Sequence, residues 1–467
     1  MTQHYDAVVI GTGQGGAPLA ASLGASGRKT AVIERALFGG TCVNVGCTPT
    51  KAYVASARAA HVARHAAELG VQITGKIAVD LSYIKARKDK IVEQSRSGVE
   101  KWLREAEHVS VFNGHGRFTS PNTLSISNAA GAVTQQISAD AIFINTGTRA
   151  SVPALPGLER VRYYTNASLL ELTTLPEHLI IIGSSYIALE FAQIFRRFGS
   201  RVSVLVRGER VLSREDADIA QALQDVLAGE GIEFHFGTQP GAVAPSADGV
   251  QVQCGDRSVS GSHLFIATGR QPNTDDLGLD AAGVSVDARG IIQVDGDLRS
   301  NVPGIWAIGD VNGRGAFTHT SFDDYQIVAA QLGLIDAARR SVDDRIMAYA
   351  VFTDPPLARV GLSEAELRKA GTPALIATQP MSRVGRARER GETAGFMKVL
   401  VHAHSKQILG AALLGIEGDE AIHTFIDTMT AGAPYTTLQY ALHVHPTVSE
   451  LVPTLLGNLQ PLPPSPR

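Results

Sequence analysis

Cys42 and Cys47 are the closely spaced thiols of a chain that has three cysteines in all. In a regular helix, residues five apart have Cα atoms about 8.5 Å apart, beyond the roughly 7 Å that a disulfide spans, so bridging this pair requires a distorted turn. Gly46 and Pro49 supply places for that distortion. A bridge closed across such a turn is strained and opens readily, which suits catalytic disulfide exchange better than structural stapling. Two other readings stand beside it: a metal site, which lacks two further ligands at suitable spacing, and a pair of buried thiols. Cys254 is alone.

A second kind of chemistry is written in glycines. Gly11-Thr12-Gly13-Gln14-Gly15-Gly16 follows an apolar strand directly, and Glu34 ends the next strand. Glycines at this spacing let backbone N–H groups approach a pyrophosphate at a helix N-terminus, while the acid accepts from ribose hydroxyls. A degraded copy follows at Gly183-Ser184-Ser185-Tyr186-Ile187-Ala188. Where its acid is due, Arg207 stands instead, with Arg210 nearby. A guanidinium binds a 2′-phosphate that a carboxylate repels, so this site favours NADPH, with NADH as the alternative. The competing reading is a solvated arginine pair on a surface turn.

The elements that must position these groups follow from length and patterning. A chain of 467 residues at 44 % hydrophobic exceeds one core and implies two to four domains. With 42 basic against 45 acidic side chains and no block of like charge, nucleic acid is an unsuitable partner. No apolar run reaches the roughly 18–20 residues of a membrane span, and the N-terminus has no charged leader, so the chain reads as soluble and cytoplasmic. Each glycine turn belongs to a strand–helix–strand unit, completed by Thr30–Ile33 and by Val202–Val206. Alanine- and lysine-rich stretches over 51–69 and 81–105 predict two long helices inserted into the first domain. Strands are expected near 109–111 and 141–144, and Ile305–Asp310 reads as a return to the first domain. From about Tyr349 a separate block alternates strands and helices. The tail, with Pro461, Pro463, Pro464 and Pro466, is expected to be extended or disordered.

The segment Gly39-Gly40-Thr41-Cys42-Val43-Asn44-Val45-Gly46-Cys47-Thr48-Pro49-Thr50-Lys51 resembles the active-site segment of the class I pyridine nucleotide-disulfide oxidoreductases, which include glutathione reductase, lipoamide dehydrogenase and mercuric reductase. The resemblance covers nearly the whole chain through Gly11–Gly16, Thr146-Gly147, Tyr186–Glu190, Ala267–Arg270, Gly309-Asp310 and His445–Glu450. It implies an α/β architecture: two Rossmann-like dinucleotide-binding domains and a C-terminal α+β dimerisation domain. FAD would take 1–149 with 273–343, NAD(P)H 150–272, and the homodimer interface 344–467. The same resemblance places FAD on Gly11, Gly13 and Gly16, with Glu34 on its ribose, Gly116 beside it and Asp310 on the ribityl chain; Gly40, Thr41, Lys51, Thr146, Gly147 and Gly269 are further cofactor-binding residues. Cys47 would face the flavin and Cys42 would attack the substrate. Lys51 would sit near the flavin paired with Glu190. Gly183, Tyr186, Ile187 and Arg207 would receive the nicotinamide cofactor, Tyr186 as its gate. His445 would serve as acid/base across the dimer interface, oriented by Glu450, while His443 fits no family role.

Departures from the family narrow the activity. The C-terminus has no cysteine, so the delivery thiols of mercuric reductases and of long thioredoxin reductases are missing. Mercuric reductases usually replace the histidine that this chain keeps as His445. Arg207 and the run Phe317–Tyr325 differ from lipoamide dehydrogenase and look more like mercuric-reductase-like bacterial flavoproteins of oxidant defence, some of which reduce hypothiocyanous acid. Arg383, Arg386 and Arg388 either line a path for an anionic substrate or form interface salt bridges. The expected activity is NADPH-driven reduction of a small-molecule disulfide or thiol-reactive oxidant, with neither nucleic acid nor membrane as partner. The alternatives are an NAD-dependent lipoamide dehydrogenase-like enzyme, a mercuric reductase-like enzyme, and a redox-responsive flavoprotein without turnover.

Overall fold

The computed structural model describes residues 2–464, so Pro466 lies outside the described residues. Two compact units divide the chain: Met1–Ala52, Tyr83–Val152 and Gly269–Arg345 form the first, and Tyr53–Ser82, Pro153–Thr268 and Ile346–Arg467 the second. Each unit has its own sheets and its own buried cores.

The first unit is built on β1 (Gln3–Ile10), α1 (Gly16–Ala25), β2 (Thr30–Glu34), α2 (Gly40–Asn44), α3 (Cys47–His65), α4 (Leu81–Glu105), β3 (Val109–Asn113), β4 (His115–Ser120), β5 (Thr123–Ser127) and β6 (Val133–Ile144). The sheet runs β3-β2-β1-β6-β5-β4, and strand Ile305–Ala307 pairs with β6. Pairing is parallel from β3 to β6 and antiparallel from β6 to β4. β1 and β2 are apolar over Ala7–Ile10 and Ala31–Ile33 because helices or strands cover both faces, the expected pattern for parallel strands. The two predicted long helices are α3 and α4, although α3 passes at Tyr53 from the first unit to the second.

In the second unit a five-stranded parallel sheet has the order Glu233–His235, Arg201–Leu205, His178–Ile182, His263–Ile266, Tyr163–Tyr164. A six-stranded antiparallel sheet holds the C-terminal block, and its edge strand Gln460–Pro461 places the start of the proline-rich tail in an extended, paired conformation. Proline suits that edge because it has no N–H to donate. No helix among the described residues is long and apolar enough to cross a membrane.

Charged groups link the region of the parallel sheet to the C-terminal block within this unit. Arg197 is held by Glu230 at 2.7 and 2.8 Å and also pairs with Asp354, which in turn takes Arg58. Burial pushes the Asp354 carboxyl up, but Arg197 and Arg58 outweigh it and hold the group below the ordinary carboxylate range. A depressed carboxylate contributes stability that is present above its unfolded value and lost as pH falls through its folded one. Asp354→Asn should therefore cost about 3 kcal/mol near neutrality, the low end for orphaning a buried charge because Glu230 still holds Arg197. Urea melts of wild type and variant should converge as pH drops below about 4; a constant gap down to acid would mean that packing, not charge, is lost.

Candidate active site

Cys42 lies in α2 and Cys47 opens α3, and the helix is broken between them: Val45 leaves helical geometry at φ −142°. Gly46 permits the break, since a Cβ there would lie 2.8 Å from the Thr41 carbonyl oxygen. The distortion expected from the five-residue spacing is thus present. Both cysteines are thiols, Cys42 half-buried and Cys47 exposed. The adjacent Cys47 sulfur, then burial, push the Cys42 thiol far above its ordinary range. The Thr318 hydroxyl and the Lys51 charge pull the other way and are outweighed. Thr318 Oγ1 stands 3.2 Å from Cys47 Sγ at the start of the helix Thr318–Gln331. Lys51 follows Cys47 by one turn of α3 and so shares its face. Thr318 escaped the sequence reading, since a lone threonine 271 residues from its partner has no signature.

The dinucleotide cradle of this unit is as close-packed as its glycines demand. Gly11 has φ +100°, and a Cβ on it would lie 2.4 Å from the Asn145 carbonyl oxygen. Asn145 also accepts from the Gly16 N–H at 3.0 Å and donates to the Ile308 carbonyl at 2.9 Å, which ties the turn to β6 and to the strand after Gly304. Gly40 approaches so near that its Cβ would lie 2.9 Å from Gly13 Cα. Glu34 is already engaged: one oxygen takes the Thr12 N–H at 3.0 Å and the Thr12 hydroxyl at 2.6 Å, the other the Ala36 N–H at 2.9 Å. Gly116 lies in β4 against Ile33 and Ile10, where a Cβ would crowd the core. Asn273 binds the carbonyls of Thr146 at 2.8 Å and Gly147 at 3.0 Å. Asp310 accepts from Thr148 Oγ1 at 2.8 Å, and Arg270, next to Gly269, donates to that same Thr148 oxygen at 2.6 Å.

The residues present fit FAD. Thr146 Oγ1 is buried beside the Gly11 turn without a hydrogen-bond partner among the described residues. The Gly11–Gly16 turn is packed so closely that a Cβ at Gly11, Gly13 or Gly16 would strike Asn145 or the turn itself, which leaves bare backbone of the kind that a dinucleotide pyrophosphate approaches.

In the second unit Gly183 repeats the contact of Gly11, with φ +121° and a Cβ position 2.3 Å from the Ala267 carbonyl oxygen. Ser185 precedes the helix Tyr186–Phe198, with Tyr186 and Ile187 half-buried on its first turn. Arg207 is exposed just beyond strand Arg201–Leu205. Glu190 is buried and accepts the Phe352 N–H at 2.9 Å. His445 Nδ1 stands 2.7 Å from Glu450 Oε2; the imidazole side chain is 82 % exposed and the carboxylate 15 %. His443 faces the Leu438 carbonyl at 3.3 Å, a backbone contact that fits a structural role.

Known proteins match this architecture along its length. Residues 5–326 match the pyridine nucleotide-disulphide oxidoreductase model and 347–456 the dimerisation domain of that family, which contains His445 and Glu450. The probable pyridine nucleotide-disulfide oxidoreductase RclA of Escherichia coli K12 is 36 % identical over 450 residues, covering 96 % of this chain and 97 % of RclA. A dihydrolipoyl dehydrogenase of Chlamydia muridarum is 32 % identical over 97 % of this chain and 96 % of its own. Mercuric reductase of Streptomyces lividans is 35 % identical over 96 % of this chain and 94 % of its own. The solved structure of E. coli RclA, described as an HOCl-induced flavoprotein disulfide reductase, superposes with a TM-score of 0.88 at 35 % identity, covering 97 % of this chain and 99 % of that one. With its glycine cradle, its cysteine pair and its dimerisation domain, the chain belongs to the FAD-dependent pyridine nucleotide-disulfide oxidoreductases, enzymes that work with FAD and NAD(P)H.

Proposed function

We propose that this enzyme oxidises NADPH and reduces a small disulfide or thiol-reactive oxidant through Cys42 and Cys47, as a cytoplasmic homodimer. The observation that carries the reading is the cysteine pair at the broken helix, with the Thr318 hydroxyl on Cys47 and the Lys51 ammonium on the same face. When bound, FAD supplies the two-electron relay between nicotinamide and these sulfurs. Gly11, Gly13, Gly16 and Glu34 would hold its pyrophosphate and ribose, Gly40, Thr41, Gly116, Thr146, Gly147 and Asp310 would line the remainder, and Lys51 would bring a positive charge to the face that carries Cys47. The three-part division into 1–149 with 273–343, 150–272 and 344–467 belongs to this proposal.

The sulfur chemistry balances. Cys42, deprotonated by His445, attacks one sulfur of the substrate disulfide and expels the other as a thiolate, which takes its proton from His445. Cys47 then attacks Cys42, releases the second thiol and restores the Cys42–Cys47 bridge. A base is required because Cys42 holds its proton so firmly beside Cys47. Glu450 fixes the imidazole orientation.

Arg207 carries the nicotinamide preference. Assayed with NADPH and with NADH against lipoamide, glutathione disulfide, hypothiocyanous acid and Hg(II), the wild type should prefer NADPH. Arg207→Glu should lower kcat/KM for NADPH by roughly tenfold to a hundredfold, the worth of a charge-assisted hydrogen bond. A wild type that prefers NADH overturns the arginine reading and favours a lipoamide dehydrogenase-like activity. No acceptor turning over with either nucleotide overturns the enzymatic reading of the cysteine pair.

A further inference from the structure

The segment 381–390 approaches Glu450, the partner of His445, at Gly385. Met381, Val384 and Ala387 are buried at intervals of three, which turns the side chains between them outward. Gly385 faces the pair: a Cβ on it would lie 3.9 Å from Glu450 Oε1. Arg388 is three residues further along the short helix Gly385–Arg390 and shares that face, while Arg383 ends the preceding turn.

Charge accounting then separates these arginines. Arg386 is neutralised by Glu389 at 3.0 Å, and Arg390 lies 3.7 Å from Glu417. Among the acids, Glu392 is taken by Arg58 and Glu450 by His445. Arg383 and Arg388 are both exposed, and neither side chain makes an ion pair or hydrogen bond among the described residues. Two guanidinium groups without a side-chain partner in the subunit therefore lie on the short segment that touches Glu450.

We propose that Arg383 and Arg388 form an anion-recruiting edge at the His445–Glu450 pair and select carboxylate-bearing disulfides over neutral ones. The inference rests on the reduction chemistry proposed above and names the charge class of its substrate. A guanidinium beside the leaving sulfur attracts an anionic substrate before any bond changes, so the effect belongs to kcat/KM and is screened by salt.

Two chromogenic disulfides provide the test: dithiobis-nitrobenzoate, which carries carboxylates, and dithiodipyridine, which is neutral near pH 7. NADPH-driven turnover is measured with each for wild type and for the double variant Arg383→Gln, Arg388→Gln. The ratio of kcat/KM for the anionic disulfide to that for the neutral one should fall about tenfold in the variant, since an exposed charge contact is worth up to about fivefold per guanidinium. Raising salt from about 20 to about 500 mM should lower the wild-type ratio and leave the variant's ratio flat. Arg388→Lys should retain part of the preference, because a point charge still attracts. An unchanged ratio, or equal losses on both disulfides, overturns the proposal and leaves the chemistry standing. A wild type that turns over neither disulfide brings down the reduction chemistry itself.

Discussion

Replacing His445 with glutamine should lower kcat for disulfide reduction by about 10²–10⁴-fold, the usual worth of a positioned acid/base. The structure gives a specific reason for so large a loss. Cys42 is pushed above the ordinary thiol range by the sulfur of Cys47 and by burial, so at neutral pH little of it ionises without a base. The pH dependence distinguishes this role from a structural one. Below a raised thiol value the thiolate fraction grows tenfold per pH unit, so the variant's rate should climb steadily through about pH 9 with no plateau. Wild type, with a proton acceptor at hand, should be much flatter. Reduction of the Cys42–Cys47 bridge by NADPH should survive in the variant, read as two new thiols per chain. Loss of that half-reaction along with turnover would show that His445 supports the fold around the cysteines and is not their base.

The parts legible in the sequence were those fixed by local sterics. Gly11 and Gly183 mark tight turns because any Cβ there strikes the carbonyl at the end of a neighbouring strand, and the apolar runs of β1 and β2 announce parallel strands covered on both faces. A bridge at the Cys42–Cys47 spacing required a broken helix, and the helix breaks at Val45, with Gly46 leaving room for it. Contacts set by tertiary packing left no such mark. Thr318 on Cys47, Asn145 between Gly16 and Ile308, and the Arg270–Thr148–Asp310 chain are formed by ordinary polar residues brought together by the sheet. The same holds for Arg197 and Asp354. Their pairing links the region of the parallel sheet to the C-terminal block in one compact unit, a coupling that composition shifts along the chain do not reveal.

Mixing Cys42→Ser dimers with His445→Ala dimers, each strongly impaired, should restore activity once subunits exchange if, as proposed, His445 serves the Cys42 of the second subunit. Around the histidine, Tyr440 is 81 %, Leu442 101 % and Val444 74 % exposed in the subunit alone. Apolar side chains in so exposed a run are what a soluble chain covers by association, and they lie within the dimerisation domain. If His445 works on the Cys42 of the second subunit, each composite site of the heterodimer draws one residue from each chain. One site then inherits both substitutions, and the other, with Cys42 from the His445→Ala chain and His445 from the Cys42→Ser chain, inherits neither. Turnover should therefore return to at most about half of the wild-type value per heterodimer, provided the two sites act independently. Native mass measurement of the exchange fixes the heterodimer fraction against which activity is normalised. Exchange without recovery would assign His445 to its own chain's cysteines or remove it from the chemistry, and the exposed apolar run would then explain dimerisation alone.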